Sequence, residues 1–282
     1  FSLALLKPIL AGAVACSAGW WALNADWLGQ SPLDALMGSA AVAGIFLGVL
    51  LALGLATEDK EFLYLDSALA WRSISDDVGL LTVYYYGDFV EKRAREVMDA
   101  SQRTLEEMGD VLGIRPEEPI NIVAYSNYRD MSRALPFRSQ TVTESLTTEG
   151  QAYAAERVLL VLISESDFSG VVSHEFTHIL VAEAAGRGYA RVPLWLNEGL
   201  AEYGNIDKTP YYDYSLAYGV YTRRLKPLWY LETFGGDPDD ILIAYGQSRS
   251  VVKHMIDTYG PEKMTELMTA FGELRDTEQE IS

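Results

Sequence analysis

Two histidines four positions apart, His174 and His178, with Glu175 beside the first, constrain this chain more than any other feature. Residues i and i+4 of an α-helix leave the same face, so His174-Glu175-Phe176-Thr177-His178 demands a helix that aims both imidazoles at one point. Glu198 follows within Trp195-Leu196-Asn197-Glu198-Gly199-Leu200-Ala201-Glu202. Two neutral imidazoles and a carboxylate are a donor set for one zinc ion (Zn2+) with a fourth position open to water, the mark of a catalytic rather than a structural site. The first helix is expected over Asp167 to Ala185, ended by Gly186 and Gly188, and a second, starting after Pro193, must carry Glu198 back to it. Glu175 is placed to act as general base toward that water. Glu202, one turn beyond Glu198, is placed to accept a hydrogen bond from a ligand imidazole and set its tautomer.

Composition narrows the chemistry. The only other histidine is His254, read as a helix residue without a metal role, and the only cysteine is Cys16, so zinc must use nitrogen and oxygen and no intrachain disulfide can form. Acidic residues outnumber basic ones 40 to 22, and the formal charge of -18 argues against nucleic acid as a partner. A hydrophobic content of 49% supports a packed core rather than disorder.

Leu36 to Ala56 is an uncharged run of the length that crosses a hydrocarbon core, about 20 residues. Phe1 to Leu23 is nearly as apolar, broken by Lys7 and Pro8, with Trp20, Trp21 and Trp27 where an aromatic belt would lie. Residues 1–56 are therefore expected to form a two-helix transmembrane hairpin in contact with membrane lipid, the rival being a cleaved signal peptide followed by one span. Phe1 is not a methionine, so an upstream segment is expected to have been removed by processing or to lie outside this sequence. Ala11, Ala15 and Gly19, and Ala40, Gly44 and Gly48, recur at a spacing that lets helix backbones approach, within the hairpin or within a larger membrane complex. The Asn24–Asp34 connection carries no Lys or Arg, whereas Lys7, Lys60 and Arg72 flank the spans, which by the positive-inside rule favours a cytoplasmic soluble part.

Residues 57–79 read as a linker whose Phe62, Tyr64, Leu65, Trp71 and Ile74 touch something apolar, 80–275 as the soluble domain and 276–282 as a tail, with the polar stretch Glu273 to Ser282 expected to fray. Leu80 to Tyr86 has strand character, Phe89 to Leu112 an amphipathic helix closed by Pro116 and Pro119, and Ile120 to Tyr125 a second strand. Asn127 to Leu135 is a short helix or turn, Pro136 to Gly150 a surface loop, and Gln151 to Ala155 with Arg157 to Ile163 a hairpin before the histidine helix. Helices near Pro238 to Thr258 and Pro261 to Phe271 close an α+β domain. Tyr211, Tyr212, Tyr214, Tyr218 and Tyr221 are expected to pack or to wall a cleft.

His174 to His178 together with Asn197-Glu198-Gly199 resembles the gluzincin metallopeptidases, in particular the aminopeptidase N-like branch and the membrane-anchored bacterial peptidases with an MA-like domain. Those enzymes are similar in placing the histidine pair on one helix and the glutamate ligand on the next. The resemblance extends over roughly Leu81 to Phe271, and Tyr245-Gly246-Gln247-Ser248 looks like the segment in which that branch carries a tyrosine at a helix start, which implies that Tyr245 stabilises the oxyanion. It implies a thermolysin-like zinc peptidase domain acting on a peptide or protein substrate, in a bacterial plasma membrane. In place of the branch's Gly-Ala-Met-Glu-Asn strand stands Gly150-Gln151-Ala152-Tyr153-Ala154, without an acid to grip an amino terminus. An endopeptidase that binds extended peptide along that strand edge is expected instead, with Glu156 able to substitute only if the register shifts. A catalytically idle subunit serving as an anchor or assembly component is the other reading.

Overall fold

The computed structural model describes residues 65–281 apart from 67, 89, 136–148, 165 and 209. The expected transmembrane hairpin, residues 1–56, and nearly all of the expected loop at 136–150 lie outside the described residues. Among the described residues no helix is long and apolar enough to cross a membrane.

Five strands form one mixed sheet: β1 Trp71–Ser75, β2 Leu81–Tyr86, β3 Ile120–Tyr125, β4 Gly150–Tyr153 and β5 Val158–Leu162, in the order β1-β2-β3-β5-β4. The central three run parallel and both edges are antiparallel. Alternation along the central strands divides their side chains between two apolar layers. Ile120, Ile122 and Ala124 of β3 and Leu159 and Val161 of β5 face the main core, while Val123, Tyr125, Val158, Leu160 and Leu162 face a smaller cluster with Met131 and Leu135.

Helix α1, Glu91–Leu112, packs on the main-core face through Ala94, Val97 and Met108, joined by α3, Phe168–Ala185. The short α2, Tyr128–Met131, sits on the other face. A second helical layer follows: α4 Leu194–Gly204, α5 Tyr211–Tyr221, α6 Pro238–Tyr259 and α7 Pro261–Ile281. The domain is thus mixed α+β, with the sheet behind α3 and α4 and α6 in front of it.

Three boundaries differ from expectation. The stretch expected as a linker contains β1, an edge strand paired Trp71 to Tyr86 through Ser75 to Thr82. No alternation announces it; Trp71 holds it, its ring edge-on to Tyr86 and Tyr125 and its indole N–H donating to the Asp66 carbonyl. Helix α1 ends at Gly113, in the left-handed region at φ 67, where a Cβ would collide with the Thr265 side chain, so Pro116 and Pro119 follow the stop rather than cause it. Helix α7, expected to end near Phe271, continues to Ile281 through the stretch expected to fray, because Met264 and Met268 anchor its first half and each further residue adds a backbone bond.

Candidate metal centre

Helix α3 is apolar on almost every side and is buried accordingly, with Phe168, Val172, Phe176, Ile179, Leu180 and Val181 inaccessible to water. Burying a Phe or Leu side chain contributes about 1.5–3 kcal/mol, so the helix is fixed by its neighbours and its few polar residues are held where they stand. His174 and His178 lie one turn apart with their rings edge-on, centroids 4.9 Å apart.

Helix α4 reaches them because of Gly199. A Cβ there would stand 2.6 Å from the Ser248 carbonyl oxygen of α6, so only glycine lets the two helices approach this closely. That approach brings Glu198, Glu202 and, from α6, Tyr245 to the histidine pair.

Three atoms converge. Nε2 of His174 and Nε2 of His178 are 3.3 Å apart, and Glu198 Oε2 lies 3.4 Å from the first and 3.7 Å from the second. Among the described residues this trio is a group able to hold a metal ion. The other ring nitrogens are committed: His174 Nδ1 is 2.8 Å from Glu202 Oε1 and His178 Nδ1 is 3.0 Å from Asn197 Oδ1. Asn197 donates through Nδ2 to the Tyr189 hydroxyl at 3.2 Å, which fixes its amide with the oxygen toward His178. Both Nδ1 atoms therefore carry the proton in the neutral rings, and both Nε2 lone pairs face inward. Glu198 Oε2 is buried with no hydrogen-bond partner.

Acceptors pointed at one another are repulsive unless a cation sits between them. Ligand atoms placed tetrahedrally at about 2.0–2.1 Å from zinc stand about 3.3–3.4 Å from one another, close to the measured triangle. The residues present fit zinc in donor type, tautomer and spacing. Charge around the trio shows the same demand for a cation: burial opposes charge on His174, yet the carboxylates of Glu198 and Glu202, with Glu175 nearby, outweigh it and hold the imidazole well above its ordinary range, so a proton on Nε2 competes with a metal for this position. Burial likewise opposes ionisation of Glu198, and the two histidines outweigh it, leaving its carboxyl below the usual range.

Glu175 points away from the trio toward β4, where its Oε2 accepts from the Ala152 N–H at 2.9 Å. β4 is an edge strand, and its pairing turns the backbone groups of Gly150 and Ala152 outward. Two cleft lobes, of 390 and 270 Å³, meet here and share Gly150, His174, Glu175 and Tyr245. The larger runs past Val171 and Tyr212 to Asp167 and Asp207; the smaller runs past Gln151 and Ala152 to Tyr189 and Asn197.

Tyr245 lies two turns inside α6 rather than at a helix start, because Pro238 begins the helix with Asp237 as its cap. Its ring is 6.3 Å from that of His174 and packs against Tyr212 and Phe234. Burial first, then the carboxylates around it, push its phenol pKa far up, so it remains a hydrogen-bond donor across the working pH range. Glu156 sits in the β4–β5 turn and does not line the cleft, whereas Glu149, just before β4, does. His254 is exposed on α6, its Nδ1 3.3 Å from the Thr258 hydroxyl. Of the tyrosine series only Tyr212 walls the cleft; Tyr211, Tyr214, Tyr218 and Tyr221 are exposed, against the expectation of packing.

The roles of Asn197 and Tyr189 escape sequence reasoning. Asn197 is visible only as the neighbour of Glu198, and Tyr189 lies in the 3-10 turn Gly186–Arg191, where no periodicity marks it.

Residues 100–282 match the family model of the Peptidase MA superfamily. The match begins inside α1 and contains the whole metal centre. None of the curated proteins matches the chain.

Proposed function

The chain belongs to the Peptidase MA superfamily, and from that premise we propose that it is a zinc-dependent peptidase cleaving internal bonds of peptides or proteins. His174, His178 and Glu198 hold the ion and Glu202 and Asn197 orient the two imidazoles. The observation that carries the reading is the inward-facing triangle of three acceptors, with both tautomers set from behind.

Zinc held there supplies a Lewis acid that polarises a carbonyl and lowers the pKa of a water. The chain's own groups do the rest. A peptide laid along β4 meets the outward backbone groups of Gly150 and runs through both lobes, with its scissile carbonyl beside Glu175 and Tyr245. Occupants on both sides of the reacting bond suit an endopeptidase. The Glu175 carboxylate takes the proton of the attacking water and returns it to the leaving amine, and the Ala152 N–H steadies that carboxylate. The Tyr245 hydroxyl donates to the oxygen on which negative charge develops. Residues 1–56 hold the chain at a membrane, with the domain on the cytoplasmic side by the flanking charges; protease accessibility in intact cells tests that side.

The catalytic reading is tested by metal analysis of the full chain and by peptide cleavage with wild type and Glu175→Gln. One zinc per chain is expected in both, with cleavage falling about 10²- to 10⁴-fold in the variant, the usual worth of a general base. Equal cleavage by both, or activity that survives removal of the metal by a chelator, would sink the proposal.

A further inference from the structure

Helix α5 carries an exposed stripe, with the Arg224 guanidinium 5.9 Å from the Tyr218 ring. Tyr211, Tyr214, Tyr218 and Tyr221 are spaced i, i+3, i+7 and i+10, within an arc of about 80° along roughly 15 Å of helix, and are 58%, 71%, 47% and 88% exposed. The chain then continues through exposed Leu225 to Trp229 and Tyr230, also exposed. The opposite side of α5 is committed: Gly219 packs on Ile243 and Tyr212 faces the cleft.

Isolated exposed aromatics need no explanation, but a run of this kind on one side of a domain does. Its composition is selective. Tyrosine and tryptophan, each an apolar ring with a polar tip, predominate over Leu, Ile and Phe, the balance found where a protein meets lipid headgroups rather than another core. In a chain of net charge -18, the acids around the stripe are partly offset: Asp213 pairs with Arg249, and Arg224 with Lys226 shares Asp237, Asp239 and Asp240. Arg223 is exposed and makes no ion pair among the described residues. The chain outside the structure supplies the third argument. The uncharged run ends at Ala56, and residues 57–70 span at most about 50 Å before β1, so a domain tethered there cannot leave the bilayer's neighbourhood.

We infer that the tyrosine face of α5, continued through Arg223 to Trp229, is a membrane-interface surface that seats the domain on phospholipid headgroups. It rests on the reading of residues 1–56 as the tether, and the rings enter the headgroup layer while Arg223 meets anionic lipid. The tether sets the distance and this face sets the orientation.

The test uses the full chain with Cys16→Ser, reconstituted in vesicles of mixed neutral and anionic phospholipid. A spin label is placed by Tyr221→Cys, Trp229→Cys or His254→Cys, three exposed positions of which only the last is off the face. The readout is the ratio of collisions with lipid-soluble oxygen to collisions with a water-soluble nickel chelate. A ratio several-fold higher at 221 and 229 than at 254 supports the inference. Equal ratios at all three in vesicles that retain the protein through alkaline carbonate overturn it while leaving the tether intact. Loss of the protein in carbonate overturns both. Label–label broadening that grows with protein density, without oxygen preference, overturns it in favour of a contact between copies.

Discussion

Exchanging Glu202 for Gln tests whether the residues behind the triangle matter as argued. Glu202 is 3% exposed and its Oε1 stands 2.8 Å from His174 Nδ1. Glutamine has the same length and can still accept from that nitrogen, so the substitution removes charge and little else. A hydrogen bond to a charged group is worth about 1.5–3 kcal/mol and a neutral one about 0.5–1.5. The difference, about 1–1.5 kcal/mol, corresponds to roughly tenfold weaker zinc binding, the lower end of the 10–100-fold range for such supporting partners. Glu202→Ala should cost about another 1–3 kcal/mol, since it strands a buried N–H. The assay is zinc competition against a chromophoric chelator, with circular dichroism of the metal-free proteins to establish that each variant is folded. Zinc binding by folded Glu202→Gln and Glu202→Ala within twofold of wild type would refute the argument that Glu202 holds His174 for the metal.

Tyr245→Phe should lower kcat about 10²- to 10³-fold, the cost of one oxyanion donor, with zinc content and KM little changed; a loss confined to KM would remove Tyr245 from that role. Gly199→Ala forces a Cβ to 2.6 Å from the Ser248 carbonyl, and the overpacking should cost about 1–3 kcal/mol, read as a lower Tm. An unchanged Tm would mean that α4 and α6 separate freely. Tyr86 donates to Asp130 at 2.7 Å, and this bond, with Asn127, holds the Asp130 carboxyl below its ordinary range. A depressed carboxyl stabilises the fold above its unfolded pKa and loses that contribution as pH falls through the folded value. Tyr86→Phe should therefore destabilise by about 0.5–1.5 kcal/mol near neutrality, with the difference shrinking in acid; a gap constant from pH 7 to pH 2 in denaturant titrations contradicts the linkage.

Local order was legible where a period carries it. β3 stands at Ile120–Tyr125 as its β-branched run implies, and the β4–β5 hairpin and α3 stand within a residue or two of the expected bounds. β1 was not legible, since an edge strand fixed by one tryptophan has no alternation to read. The exposed side of α5 was not legible either: tyrosines at helical spacing describe a stripe, and whether it meets a core or solvent depends on what packs there.

By itself the sequence determined which side chains share a turn. The i, i+4 spacing sets His174 above His178 and Glu198 below Glu202, because helix geometry is local and admits no other arrangement. Tertiary structure alone decided that the two turns face one another across 3.4 Å, that Asn197 and Glu202 each take one Nδ1 proton, and that Tyr245 arrives from the middle of α6. Those facts follow from how closely Gly199 lets α4 lie on α6 and how α3 is buried, and such contacts depend on residues dozens of positions apart, beyond the reach of any period in the chain.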